Sequence, residues 1–166
     1  MTDGKLKTYT ASNGLPGNQI QTLYQDREGA VWVGTNHGIA RIFHGAISVF
    51  SSKQGLSENL ILAIDEDREG SLWIGTESGG VAILKDQKFM TLTDSDGLSD
   101  ELVSSVLQDP QGHIWIGTDG GGLNRYDGGH VSVFTEKQGL TSDTILSLAA
   151  DAKGNLWVGT PDGLNR

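Results

Sequence analysis

The sequence has no cysteine, three prolines and two methionines in 166 residues. Without cysteine there are neither disulfides nor thiolate metal ligands, and the redox compartment is left open. Positive charge is also scarce: 12 Lys and Arg stand against 21 Asp and Glu, for a formal net charge of −9. Nucleic acid and anionic membrane surfaces both need a basic footprint, so neither is an expected partner. No stretch approaches the roughly 18 apolar residues of a membrane-spanning helix. Met1-Thr2-Asp3-Gly4-Lys5 does not open a signal peptide. The expectation is a soluble domain with no membrane insertion.

What is abundant is glycine, at 24 residues, and it is placed periodically. Trp32, Trp73, Trp115 and Trp157 use up all four tryptophans at intervals of 41, 42 and 42 residues. Each opens the same phrase, as in Trp73-Ile74-Gly75-Thr76. An Asp-x-x-Gly turn precedes each one, at Asp26/Gly29, Asp67/Gly70, Asp109/Gly112 and Asp151/Gly154. Further upstream stand Gly14-Leu15, Gly55-Leu56, Gly97-Leu98 and Gly139-Leu140.

Within each unit the apolar residues alternate over short runs bounded by turn residues, which signals strands. In the second unit these read as strand A (60–64), B (71–76), C (80–84) and D (88–92). Four short strands per unit of this length make a propeller blade, so the predicted fold is all-β with four blades of four antiparallel strands in one module, residues 1–166. The Asp-x-x-Gly segment joins A to B, the carboxylate accepting from nearby amides and glycine supplying positive φ. The tryptophans are expected in the core between blades, each burying on the order of 200 Å².

The units run approximately over 11–51, 52–93, 94–135 and 136–166. The fourth reaches Arg166 on strand C, and residues 1–10 align with a D strand. Leu6 to Thr10, with Leu6 and Tyr9 as its packing residues, is therefore expected to complete the last blade and cover an open edge. Two closures satisfy this. Compact units suit wide rings, so the expectation is an eight-bladed, two-fold homodimer joined through the N-terminal strand and the fourth blade. The alternative is a closed four-bladed ring.

The combined pattern Asp-x-x-Gly-x-[Leu/Ile/Val]-Trp-[Ile/Val]-Gly-Thr, followed by Gly-[Ile/Leu]-x-Arg as in Gly38-Ile39-Ala40-Arg41, resembles the two-component regulator propeller repeat. The resemblance covers all four units; the second departs at Gly80-Val81-Ala82-Ile83-Leu84, which lacks the arginine. It implies an extracytoplasmic (periplasmic) sensor module from ahead of a membrane segment and an output domain, with glycans or their breakdown products as ligands. It also implies more repeats than four, so the chain reads as a piece of a sensor.

The D-to-A and B-to-C connections should share one face, the usual place for ligands. That rim would present Asn18, Asn36, His37, Asn59, Glu77, Glu101, Asp119, Asp143 and Asp162. A ring of carboxylates could attract a cation, but short polar loops more simply satisfy their own backbones. The rim loops contain no aromatic residue on which a sugar could stack, which weakens the oligosaccharide reading. His37, His44, His113 and His130 do not converge on a zinc site. The glycine run at 120–122 leads into a strand, which excludes a phosphate cradle. No catalytic residue, metal or cofactor is expected. Because some propellers are lyases or metal-dependent lactonases, Asn18, Asn59, Glu101 and Asp143 remain the positions such a reading would use. The expected function is a non-catalytic, self-assembling module; the runner-up is a ligand-binding sensor fragment.

Overall fold

Each repeat opens with a single 3-10 turn, because a polar residue in extended conformation caps a short polar run that glycine then terminates. In the computed structural model, which describes residues 6–166, these turns are Ala11–Asn13, Ser52–Gln54, Asp94–Asp96 and Glu136–Gln138. The glycine of each Gly-Leu pair closes the turn at positive φ, for example 98° at Gly55 and 99° at Gly97. That conformation strains any residue with a Cβ. The leucine that follows is turned inward, and Leu15, Leu56 and Leu98 are buried.

The first blade is β1 (Ile20–Gln25), β2 (Val31–Thr35), β3 (Gly38–Phe43) and β4 (Ala46–Phe50). The second is β5 (Ile61–Glu66), β6 (Leu72–Thr76), β7 (Val81–Lys85) and β8 (Lys88–Leu92). The third is β9 (Val103–Gln108), β10 (Ile114–Thr118), β11 (Leu123–Asp127) and β12 (His130–Phe134). The fourth has three strands, β13 (Ser147–Ala150), β14 (Leu156–Thr160) and β15 (Gly163–Asn165). Every sheet is a meander of sequential antiparallel strands. The predicted D strand of the second unit coincides with β8. Its A strand runs two residues further than predicted, because Asp65 and Glu66 still pair with Trp73 and Leu72.

The core lies between blades. One buried cluster joins the first two blades through Trp32, Ile39, Ile61, Ile74 and Ala82. A second joins the next pair through Trp73, Val81, Val103 and Ile116, and a third joins the last pair through Leu123, Ile145 and Val158. The inner strands pack in series, β1 on β5, β5 on β9 and β9 on β13. What permits this approach is the glycine two residues after each tryptophan. A Cβ on Gly34 would lie 2.7 Å from Cγ2 of Ile61, and one on Gly75 would lie 2.6 Å from Cγ1 of Val103.

Among the described residues the four sheets do not close into a ring. Ile20 is 43 % exposed, although its equivalents Ile61, Val103 and Ile145 are fully buried. Residues 6–10 lie outside any strand, and Leu6 is 83 % exposed, so among the described residues no fourth strand is added to the last blade. The expected N-terminal strand, Leu6 to Thr10, is thus unpaired among the described residues; residues 1–5 lie outside them.

Substituting Gly75 with alanine should therefore cost about 1–3 kcal/mol, since the new methyl overlaps both the side chain and the carbonyl oxygen of Val103. Urea denaturation of Gly75→Ala checks this; a stability within about 0.5 kcal/mol of the unsubstituted protein would contradict it.

Candidate functional site

The aspartate of each A-to-B turn does more than hold its turn. In the second blade Asp67 Oδ1 accepts from the amides of Glu69 (2.9 Å) and Ser71 (2.8 Å), while Oδ2 accepts from Trp73 Nε1 at 2.9 Å. The indole bond recurs at Asp26–Trp32 (2.8 Å), Asp109–Trp115 (2.8 Å) and Asp151–Trp157 (3.1 Å). The nitrogen edge of the tryptophan ring is thereby tied to its own turn. Arg41, Arg125 and Arg166 lie over Trp32, Trp115 and Trp157 at 5.8, 5.9 and 6.0 Å. In the second blade, where Ile83 replaces the arginine, Trp73 instead meets Tyr126 of the next blade at 5.2 Å.

The rim residues are spread around the arc, and several are tied to backbone. Asn18 Oδ1 accepts from Ala11 N (2.7 Å), Asn59 Oδ1 from Ser52 N (3.0 Å) and Asp143 Oδ1 from Glu136 N (2.7 Å). These side chains cap the 3-10 turns, and their position at the start of each A strand follows from that. Glu101, at the equivalent place, is half-buried. Asp119 accepts from Thr144 Oγ1 of the next blade at 2.9 Å. Glu77 and Asp162 are exposed. Asn18, Asn36 and His37 come together in a shallow cleft of about 370 Å³ with Pro16 and Gly17. Among the described residues no three His, Asp or Glu side chains lie close enough to hold a metal ion.

A second set of groups sits at the two ends of the arc. On the first blade's outer face Tyr9 packs against Leu15, Val33 and Ala40. Its equivalents Phe50, Leu92 and Phe134 are the D-strand residues that fill the same place at the three inner junctions. Tyr9 thus lies where the outer strand of a preceding blade would lie. On the fourth blade, Leu164 is 64 % exposed while its equivalents Ile39 and Val81 are fully buried. Gly139 tells the same story. A Cβ added to Gly55 would lie 3.6 Å from Phe89, and one added to Gly97 would lie 3.6 Å from Val131. A Cβ on Gly139 would meet nothing within 4 Å among the described residues. A cleft of about 500 Å³ opens there, lined by Trp115, Leu140, Leu156 and Arg166.

The stretches 14–37, 55–78, 97–120 and 139–162, together more than half of the chain, match the two component regulator propeller family. The chain belongs to that family. Among solved structures the propeller is similar to the extracellular domain assigned to the hybrid two-component system BT3049 of B. thetaiotaomicron. The identity is 28 % and the TM-score 0.77, over 87 % of this chain and 21 % of that one. The extracellular domain assigned to the one-component system BT4673 of the same organism gives 22 % and 0.73, over 87 % and 22 %. Virginiamycin B lyase of Staphylococcus aureus gives 16 % and 0.66, over 89 % and 54 %, which shows the fold alone. The propeller thus spans about a fifth of the two sensor domains. No curated protein sequence matches it significantly.

Two features of this propeller were missed in sequence. The indole bond was hidden because a turn aspartate is already explained by its own amides. The blade seats were visible as a fixed pairing, Gly34 with Ile61, Gly75 with Val103 and Gly117 with Ile145, but only once strand A is known to lie on the preceding strand B.

The clamp fixes an acid limit. Burial pushes the Asp67 and Asp109 carboxyls up, but bonds from Trp73 and Ser71, and from Trp115 and His113, outweigh it and hold both below the usual range. Asp151, held by Asn155, is lowered to about 2. A lowered folded value means stability that is complete above the unfolded value of about 4 and is lost as pH falls through the folded one. The melting temperature followed by tryptophan fluorescence should decline between about pH 4 and about pH 2; a melting temperature unchanged down to about pH 2 would contradict the clamp.

Proposed function

We propose that the chain is a non-catalytic, sensor-type module of an extracytoplasmic protein, and that its ring is completed by a second copy. The observation that carries this is Tyr9, already seated on the first blade as the D-strand residue of a blade that the same chain does not place there. The fourth blade has three strands and an open C-strand edge at β15. In the third blade Leu123 pairs with Phe134 and Arg125 with Ser132. The same register pairs Leu164 with Tyr9 and Arg166 with Lys7 of the second copy. Leu6 then drops over Gly139 into the cleft beside Trp115, as Phe89 does over Gly55 and Val131 over Gly97. Two chains of four blades give an eight-bladed ring with two-fold symmetry.

The likeness to BT3049 supports the sensor-type reading and the extracytoplasmic location. The caps formed by Asn18, Asn59 and Asp143 support a non-catalytic rim, because a side chain committed to a backbone amide is not free for proton transfer. A second reading, a small polar ligand such as an oligosaccharide, is favoured by one observation: among the described residues Asn36 Oδ1, buried in the rim cleft, has no hydrogen-bond partner.

Light scattering of the chain should give twice its 17.7 kDa, and Leu6→Asp should shift the population toward monomer. A monomeric unsubstituted chain would contradict ring completion. A thermal-shift screen with oligosaccharides separates the second reading: saturable stabilisation lost in Asn36→Ala would establish it, and no shift at millimolar ligand would remove it.

A further inference from the structure

We propose that the inner strand β1 is a second docking surface, distinct from the N-terminal strand, and that it seats on the fourth blade of a second copy through three contacts already present at the inner junctions. This rests on the ring-completion reading above, and it assigns that closure to residues 18–25.

At the first two inner junctions three groups along the inner strand meet the preceding blade, and at the third only the rim and middle groups do. At the rim, Gly38 N donates to Asn59 O (2.7 Å), Gly80 N to Glu101 O (3.0 Å) and Gly122 N to Asp143 O (2.7 Å). In the middle, Ile61, Val103 and Ile145 cover Gly34, Gly75 and Gly117. At the far end, Arg27 N donates to Glu66 Oε2 and Arg68 N to Gln108 Oε1, both at 2.9 Å, locking each turn to the last residue of the next inner strand.

Every one of these contacts has an unused donor half on the fourth blade and an unused acceptor half on the first. The partner of Gly163 N would be Asn18 O. The cover for Gly159, where an added Cβ would meet only Ser147 of its own blade, would be Ile20, which is 43 % exposed. The acceptor for Ala152 N would be Gln25, whose side chain makes no hydrogen bond among the described residues. The third junction shows how the far lock disappears when it is not used. Pro110 has no amide hydrogen, and its counterpart Ala150 has no side-chain acceptor, so both halves are missing together. At the open ends both halves are present.

The occupant is a second copy and not the same chain. Three like junctions leave Ile20 of β1 and Leu164 of the fourth blade exposed, so the four blades do not bring these two ends together. A second copy meets both ends without altering any of the three.

The test uses two variants of the full chain, Ile20→Asp and Gly159→Val, followed by native mass spectrometry with one of them isotopically labelled. Each alone should dissociate at least about tenfold more readily than the unsubstituted dimer. Mixed together they should form a heterodimer, because Gly159 of the first and Ile20 of the second rebuild one intact junction. Variants as dimeric as the unsubstituted chain would overturn the β1 surface while leaving the N-terminal strand reading in place. Monomeric variants that do not associate on mixing would overturn its placement between copies. A monomeric unsubstituted chain would overturn both readings. If Gly159→Val does not fold, Ala152→Pro, which copies the turn at Pro110, takes its place and should weaken the dimer in the same direction.

Discussion

The constraint on which blade-to-blade packing depends is the seating of a β-branched side chain over a glycine at each inner junction. A blade of three or four short strands has no interior of its own, and its two faces become buried only against other blades. The glycine after the Trp-Ile or Trp-Val pair lets the next inner strand approach to within contact of a bare backbone, and Ile61, Val103 and Ile145 are fully buried as a result. Spacing, curvature and core composition follow from that approach. The tryptophan two residues earlier supplies the bulk at the outer part of the same junction, and its turn aspartate fixes the ring there.

A junction of this kind has two unlike faces, so a row of them is polar and ends on one of each. The first blade carries unused covers, Ile20 and Leu23, and the fourth an unused seat at Gly159. This asymmetry makes head-to-tail closure the natural completion, and it relates the chain's exposed apolar residues to one another. Ile20 and Leu164 stand at positions whose equivalents are buried at the inner junctions, Leu23 at one whose equivalents are buried or half-buried, and Leu6 at one whose equivalents are half-buried.

Much of the fold was legible in sequence because the repeat averages out local ambiguity. Four tryptophans at 41 to 42 residue intervals fixed blade number, and glycine and aspartate fixed the hairpins. The rim was less legible. Asn18, Asn59 and Asp143 looked like a recurring polar site because they occupy equivalent positions, and in three of the four repeats that position caps the 3-10 turn. A short polar run before a Gly-Leu pair does not announce a helical turn, so the capping role of these side chains was not legible. The seat at Gly159 was equally hidden, since a strand glycine shows its purpose only when the next blade is in place.

If the four blades are half of a ring whose junctions are all alike, the ring itself should be visible with no substitution at all. Electron microscopy of single particles of the purified chain looks for it directly. A closed two-fold ring of eight blades around a central channel is expected. A closed ring of four, or isolated open arcs, would contradict it.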